Sequence, residues 1–208
     1  HDWLHISFNG GPDGVQLTQL VIDTDKAGDG LSVADAFFDT ASGGAGAFDS
    51  HDFSIIEQVG IDSVTASYVD GGTQLVLTFT GFDPGDKFVF GIDVDEQGFL
   101  PGSSSAVTEG AEFEGSKLIG TFVAPHYETL TQTGIFTDSF SLAGTGLDLP
   151  PDSYVPISAT PQEFRTAGTE FAAPMTPLPI TISGTVFEDI NLNNVQNAGD
   201  QGIAGVTL

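Results

Sequence analysis

The sequence predicts an all-β chain, an antiparallel β-sandwich of jelly-roll-like form, followed by a Pro-rich strap and an incomplete β repeat. Three observations carry that expectation. Short runs rich in Val, Ile, Thr and Phe recur between clusters of Gly, Asp, Pro and Ser, and helical periodicity is nearly absent. Of the 17 Phe residues, those from Phe37 to Phe140 mostly alternate with polar neighbours, the pattern of side chains entering a sheet core. The chain has no Cys, so this core must hold without disulfides.

Taken in order, strands are expected at Trp3 to Phe8, Val15 to Ile22, Ser63 to Val69, Gln74 to Phe79 and Lys87 to Asp93. Further strands are expected at Ala111 to Glu114, Lys117 to Val123 and Ile135 to Leu142. Asp70-Gly71-Gly72 and Phe82-Asp83-Pro84-Gly85-Asp86 read as the turns between them. In the second, Pro84 fixes φ and Gly85 supplies a positive φ. Leu31 to Phe38 is the one stretch expected to form a helical turn. From Leu149 the composition shifts, with Pro150, Pro151, Pro156, Pro161, Pro174, Pro177 and Pro179 close together. The expected division is therefore a main domain at 1–150, a linker or strap at 151–179, and a second element at 180–208. The abrupt opening at His1 fits a trimmed or processed chain.

Charge narrows the function. Asp and Glu total 29 against Lys26, Lys87, Lys117 and Arg165, for a formal net charge of −25. Such a chain repels phosphate backbones and anionic lipid, so neither nucleic acid nor a membrane surface is an expected partner. No stretch approaches the roughly 18–20 apolar residues of a membrane helix. Because many carboxylates are Asp in loops beside Gly or Asn, divalent cations are the expected counter-charge.

The sharpest motif runs from Asp189 to Asp200. With Asp189 as position 1, side-chain oxygens fall at positions 3, 5, 9 and 12: Asn191, Asn193, Asn197 and Asp200. Val195 at position 7 offers its carbonyl. This is the spacing by which an EF-hand-type loop collects six or seven oxygens around Ca²⁺. Position 6 is Asn194 rather than Gly, a residue that tolerates the left-handed region. Position 12 is Asp rather than Glu, which shortens its reach.

A second candidate set is Asp23, Asp25 and Asp29 with Asp93 and Asp95. Asp23-Thr24-Asp25-Lys26-Ala27-Gly28-Asp29 lacks a ligand at position 5, so any calcium site there would be irregular and completed by Asp35 or Asp39. Asp93 and Asp95 share one face of a strand end. A solvated acidic turn is the alternative for either group.

The flanks of the 189–200 loop carry a family resemblance. Ile182-Ser183-Gly184-Thr185-Val186-Phe187-Glu188-Asp189, the Asn-rich loop, and Gly202-Ile203-Ala204-Gly205-Val206-Thr207-Leu208 follow in order. Together they resemble the opening of an Sdr-type B repeat, the calcium-binding, Cna-B-like β-sandwich repeats of bacterial surface adhesins. The resemblance covers about the last 29 residues. It implies a secreted or cell-surface location and a stiff spacer locked by calcium. Two strands and a loop cannot bury a core alone, so the expectation is that the natural chain continues past Leu208, the alternative being packing on a neighbouring domain or another copy. Leu77 to Asp95 more broadly resembles a β-sandwich domain of large secreted proteins from aquatic bacteria.

An enzyme is not expected. Gly-x-Ser-x-Gly, His-Glu-x-x-His and Gly-rich phosphate loops are missing from the sequence. The remote catalytic alternative is a copper histidine brace in which His1 joins His5, His51 or His126. A Lys–Asn isopeptide crosslink from Lys87 or Lys117 is disfavoured, because Asn9 is the only Asn before residue 190. The expected function is a structural or adhesive module that assembles with other extracellular proteins or with copies of itself, into a fibre or matrix. The alternative is a lectin-like, carbohydrate-binding domain, for which Trp3, Tyr68, Tyr127 and Tyr154 are the stacking candidates.

Overall fold

The computed structural model describes residues 2–46, 50–98, 112–137, 167–181 and 183–206. It divides into two compact units, His1–Pro177 and Leu178–Leu208. Among the described residues it is all-β, every strand pair is antiparallel, and there is no helix.

In the first unit, β1 (Asp2–Ser7), β4 (Ser54–Val59) and β7 (Lys87–Ile92) form a three-stranded sheet in the order β1-β7-β4. A five-stranded sheet has the order β10-β9-β2-β6-β5. It is built from β2 (Gln16–Asp23), β5 (Ser63–Ser67), β6 (Gln74–Thr80), β9 (Lys117–Val123) and β10 (Leu130–Ile135). The short strands β3 (Ala36–Phe38) and β8 (Val94–Glu96) pair with each other, Phe37 opposite Asp95.

The alternation seen in the sequence places the core. On β6, Leu75, Leu77 and Phe79 are buried while Gln74, Thr78 and Thr80 are exposed. On β2 the register shifts between Leu17 and Gln19, so that Leu17, Leu20 and Ile22 all point inward despite their uneven spacing. β7 is buried on both faces from Phe88 to Ile92, as befits the central strand of its sheet. The two sheets share one hydrophobic cluster. Phe79 of β6 meets Phe88 of β7 edge-on, with centroids 5.5 Å apart and rings at 81°.

Residues 167–177 lie on this first unit. Phe171 packs where Gly120 of β9 and Gly134 of β10 leave room, since a Cβ on Gly120 would come within 2.9 Å of its ring. Thr137 bridges Gly168, and Tyr127 bridges Pro177. The expected strap residues 151–166 lie outside the described residues.

Several element boundaries differ from expectation. Leu31 to Phe38 is not helical: Asp35 accepts hydrogen bonds from the amide and hydroxyl of Ser32, a compact turn that leads directly into β3. At 112–115 there is a turn where a strand was expected, closed by Ser116 N–H donating to Phe113 O. Ala111 lies outside the described residues. The strand expected from Ile135 instead ends there, and residues 138–142 are likewise outside. By contrast, Gly85 has the positive φ the turn required, and its N–H donates to Phe8 O at 2.6 Å.

The second unit carries β11 (Phe187–Glu188) paired with β12 (Gln201–Gly202), extended by Ile203 N–H to Val186 O at 2.7 Å. Two-residue strands bury little: Ile180, Ile203 and Val206 are exposed.

Candidate cation sites

Three groups of oxygen ligands stand out, and their local chemistry differs. The first is the 189–200 loop, braced by its own side chains. Asp189 accepts from the amides of Asn193 (3.2 Å) and Asn194 (2.6 Å), and Asn191 Oδ1 accepts from Asn193 at 3.2 Å. Asn193 Oδ1 accepts from Val195 N–H at 2.9 Å. At the far end Asp200 accepts from Ile190 (3.1 Å) and Asn197 (2.9 Å), tying position 12 back to position 2. Asn191 Nδ2 donates to Asn197 Oδ1, and Asn197 Nδ2 to Val195 O. All six residues expected as ligands therefore take part in one connected network of hydrogen bonds. Asn194 at position 6 does adopt the left-handed region, at φ 61°. Leu192 shares it at φ 59°, a conformation costly for a side chain of that type.

The second group gathers Asp25, Asp29 and Asp35, whose carboxylate oxygens lie within 4.8 Å of one another. This site is largely satisfied by the protein. Asp25 accepts from the amides of Gly28 (2.6 Å), Asp29 (3.2 Å) and Gly30 (2.8 Å), and these N–H groups, Gly30 foremost, hold its carboxyl below the ordinary carboxylate range. Asp35 is buried and accepts from Lys26 N–H and from both donors of Ser32. Lys117 Nζ reaches the Asp25 carbonyl at 2.9 Å, and Lys26 Nζ donates to Ala34 O, so two cationic side chains flank the cluster.

The third group gathers Asp39, Asp93 and Asp95, again within 4.8 Å. Asp39 follows β3, Asp93 lies between β7 and β8, and Asp95 is in β8. A ring of main-chain bonds fixes them: Asp39 N–H to Asp93 O, Asp93 N–H to His51 O, and His51 N–H to Asp39 O, at 3.0–3.2 Å. Asp39 is 1% exposed and its Oδ1 has no hydrogen-bond partner. Its carboxyl is raised above the ordinary range, first by burial and then by the nearby charges of Asp93 and Asp70.

The candidate residues read from the sequence are thus regrouped. Asp25 and Asp29 join Asp35, and Asp93 and Asp95 join Asp39. Asp23 belongs to neither cluster, and its Oδ1 accepts from Asp25 N–H. Sequence reasoning missed Glu112 altogether. It is 6% exposed, its Oε2 is buried without a partner, and its carboxyl is pushed up to about 9 by burial and by the charges of Asp2, Asp95, Glu96 and Asp93. The only available signal was an acid inside an apolar-flanked stretch, Ala111-Glu112-Phe113.

The histidines stand apart. His5 on β1 lies opposite Val89, His51 Nε2 is 3.0 Å from Ser54 Oγ, and neither described ligand cluster contains a histidine. His1 lies outside the described residues. Lys87 pairs with Glu57 at 2.9 Å. Of the stacking candidates, Tyr68 donates to Asp52 and packs on Phe53, Trp3 is 37% exposed, and Tyr154 is outside the described residues. Tyr127 lines an open depression with Asp13, His126 and Pro125. No helix among the described residues is long and apolar enough to cross a membrane. No family model, curated protein or solved structure matches this chain.

Proposed function

We propose that this chain is a non-enzymatic structural module of a secreted or cell-surface bacterial protein, and that calcium stiffens it. In this reading the first unit is a jelly-roll-like β-sandwich and the second is the opening of an Sdr-type, Cna-B-like repeat. The observation that carries it is the 189–200 loop, where hydrogen bonds connect Asp189, Asn191, Asn193, Val195, Asn197 and Asp200 in one network. The donor set fits the ion. It is all oxygen, two carboxylates plus amide and backbone carbonyls, which suits a hard cation and not a thiolate- or imidazole-seeking metal. Bound calcium would offset the Asp189 and Asp200 charges and take over the oxygens that the Asn191 and Asn197 amides now engage. The loop would then gain rigidity that a two-residue hairpin cannot supply alone.

The net charge of −25 supports the same reading, because divalent cations relieve the self-repulsion of so acidic a chain. Partners would be other extracellular proteins or further copies of the chain. A glycan-binding role is the second reading, favoured by the Tyr127, His126 and Asp13 depression; glycan-array binding lost in Tyr127→Ala would favour it. Hydrogen exchange tests the main reading. Calcium should slow exchange at the amides of Asn193, Asn194 and Val195, and Asp189→Ala should abolish that protection. Equal exchange with and without calcium contradicts it.

A further inference from the structure

We propose that Asp39, Asp93 and Asp95 form a second divalent-cation site, filled by calcium, which fastens the β3–β8 ladder to the end of β7. It is independent of the 189–200 loop and can fail or hold without it.

The cluster differs from that of Asp25, Asp29 and Asp35 in how its carboxylates are satisfied. There, backbone amides and the Ser32 hydroxyl donate to the Asp25 and Asp35 carboxylates, and Lys117, bound to the Asp25 main-chain carbonyl, adds a positive charge beside them. Here, a carboxylate that is 99% buried keeps an oxygen, Asp39 Oδ1, with no hydrogen-bond partner. Leaving a charged acceptor buried and unsatisfied is strongly unfavourable, so such groups are paired or hold metal. The three described lysines are engaged elsewhere. Lys26 donates to Ala34 O, Lys87 pairs with Glu57, and Lys117 donates to Asp25 O.

Asp39 and Asp95 also lie within hydrogen-bonding reach of each other, a distance at which two ionised carboxylates need a proton or a cation between them. A second buried acid points the same way. Glu112, from a different segment, has its own unpartnered Oε2 and lies in the field of Asp93, Asp95, Glu96 and Asp2. The surplus of negative charge is therefore a property of the whole pocket and not of one side chain.

The spacing fits calcium. Its oxygen ligands lie at about 2.3–2.6 Å, so ligands on opposite sides of the ion are about 5 Å apart at most. The three carboxylates are within 4.8 Å. Gly46 completes the wall: its amide donates to Asp39, and a Cβ there would stand 1.9 Å from Asp39 Oδ2 and 2.3 Å from Asp95 Oδ2. Only glycine lets the backbone close over the carboxylates without displacing them. Three carboxylates of one chain leave further coordination positions to water or main-chain oxygen.

The test is calorimetric titration of the chelator-treated full chain with calcium chloride, alongside its melting temperature. Wild type should bind two calcium ions, Asp189→Ala one, Asp39→Asn one, and the double variant none. Asp29→Asn should retain both. Asp39→Asn should also melt no lower than wild type in chelator, since it removes a buried charge. It should gain less than wild type when calcium is added, a crossing that a purely structural Asp39 would not produce. If Asp39→Asn does not fold, the half-buried Asp95→Asn serves in its place, with at least a tenfold loss of affinity at one site. Wild-type stoichiometry and an unchanged calcium-dependent melting shift in the variant would overturn the proposal. Loss of all binding in Asp189→Ala would overturn it too.

Discussion

Phe79 and Phe88 come from different sheets, and their contact makes the joining of those sheets measurable. Each is almost fully buried, and the pair is T-shaped at 5.5 Å. Phe79→Leu and Phe88→Leu each remove part of a packed ring and should cost about 1–2 kcal/mol. An edge-to-face pair contributes about 0.5–1.5 kcal/mol beyond its buried area, so the double variant should be less destabilised than the sum by that amount. Phe90 stacks on Phe88 and Phe82 lies against Phe79, so both rings have further aromatic neighbours that keep the site from collapsing freely. Urea unfolding in saturating calcium, with fixed slopes for the four proteins, gives the coupling directly. Additivity within about 0.3 kcal/mol would mean that the rings do not interact across the two sheets, and the single shared core would be refuted.

Three further outcomes follow from specific contacts. Asp70 accepts from Thr40 N–H, Ala41 N–H, Ala45 N–H and the Thr40 hydroxyl, and these bonds, Thr40 first, hold its carboxyl below the ordinary range. Its contribution is present above the unfolded pKa and is lost as pH falls through the lower folded value. Solvent screens this carboxyl, so Asp70→Asn should cost about 0.5–1 kcal/mol at pH 7 and progressively less toward pH 3, read from urea midpoints. Glu112 behaves oppositely: its folded value is raised to about 9, so its stabilising proton is fully present below about 4.5 and lost as pH rises through 9. In chelator, wild type should lose on the order of a few kcal/mol between pH 5 and 9 while Glu112→Gln stays flatter; parallel melting curves would contradict this. Leu192 is exposed and left-handed, so Leu192→Asn should relieve about 0.5–1 kcal/mol and tighten calcium binding at the loop about two- to fivefold by titration.

What the sequence made legible was local. β9 spans Lys117–Val123 as expected, because its apolar run is bounded by turn residues on both sides. The Phe82 to Asp86 turn was equally readable, since Pro84 and Gly85 leave the backbone few options. β4 and β10 were not. β4 is an edge strand with Ile55, Ile56 and Val59 exposed and a register shift at its centre, so its side chains do not alternate. β10 has polar residues at half its positions and owes its place to pairing with β9. The 189–200 loop could be singled out because its oxygen-bearing residues lie close together in the chain. The Asp39, Asp93 and Asp95 cluster could not, because it depends on β3 pairing with β8 across more than fifty residues, a contact that composition does not encode.

The central claim is that the Asp189 to Asp200 loop holds calcium. Titration of the chelator-treated chain with calcium chloride, wild type against Asp189→Ala, tests it most directly. The account predicts that one saturable site disappears in the variant while the first unit remains folded. Identical isotherms for the two proteins would contradict it.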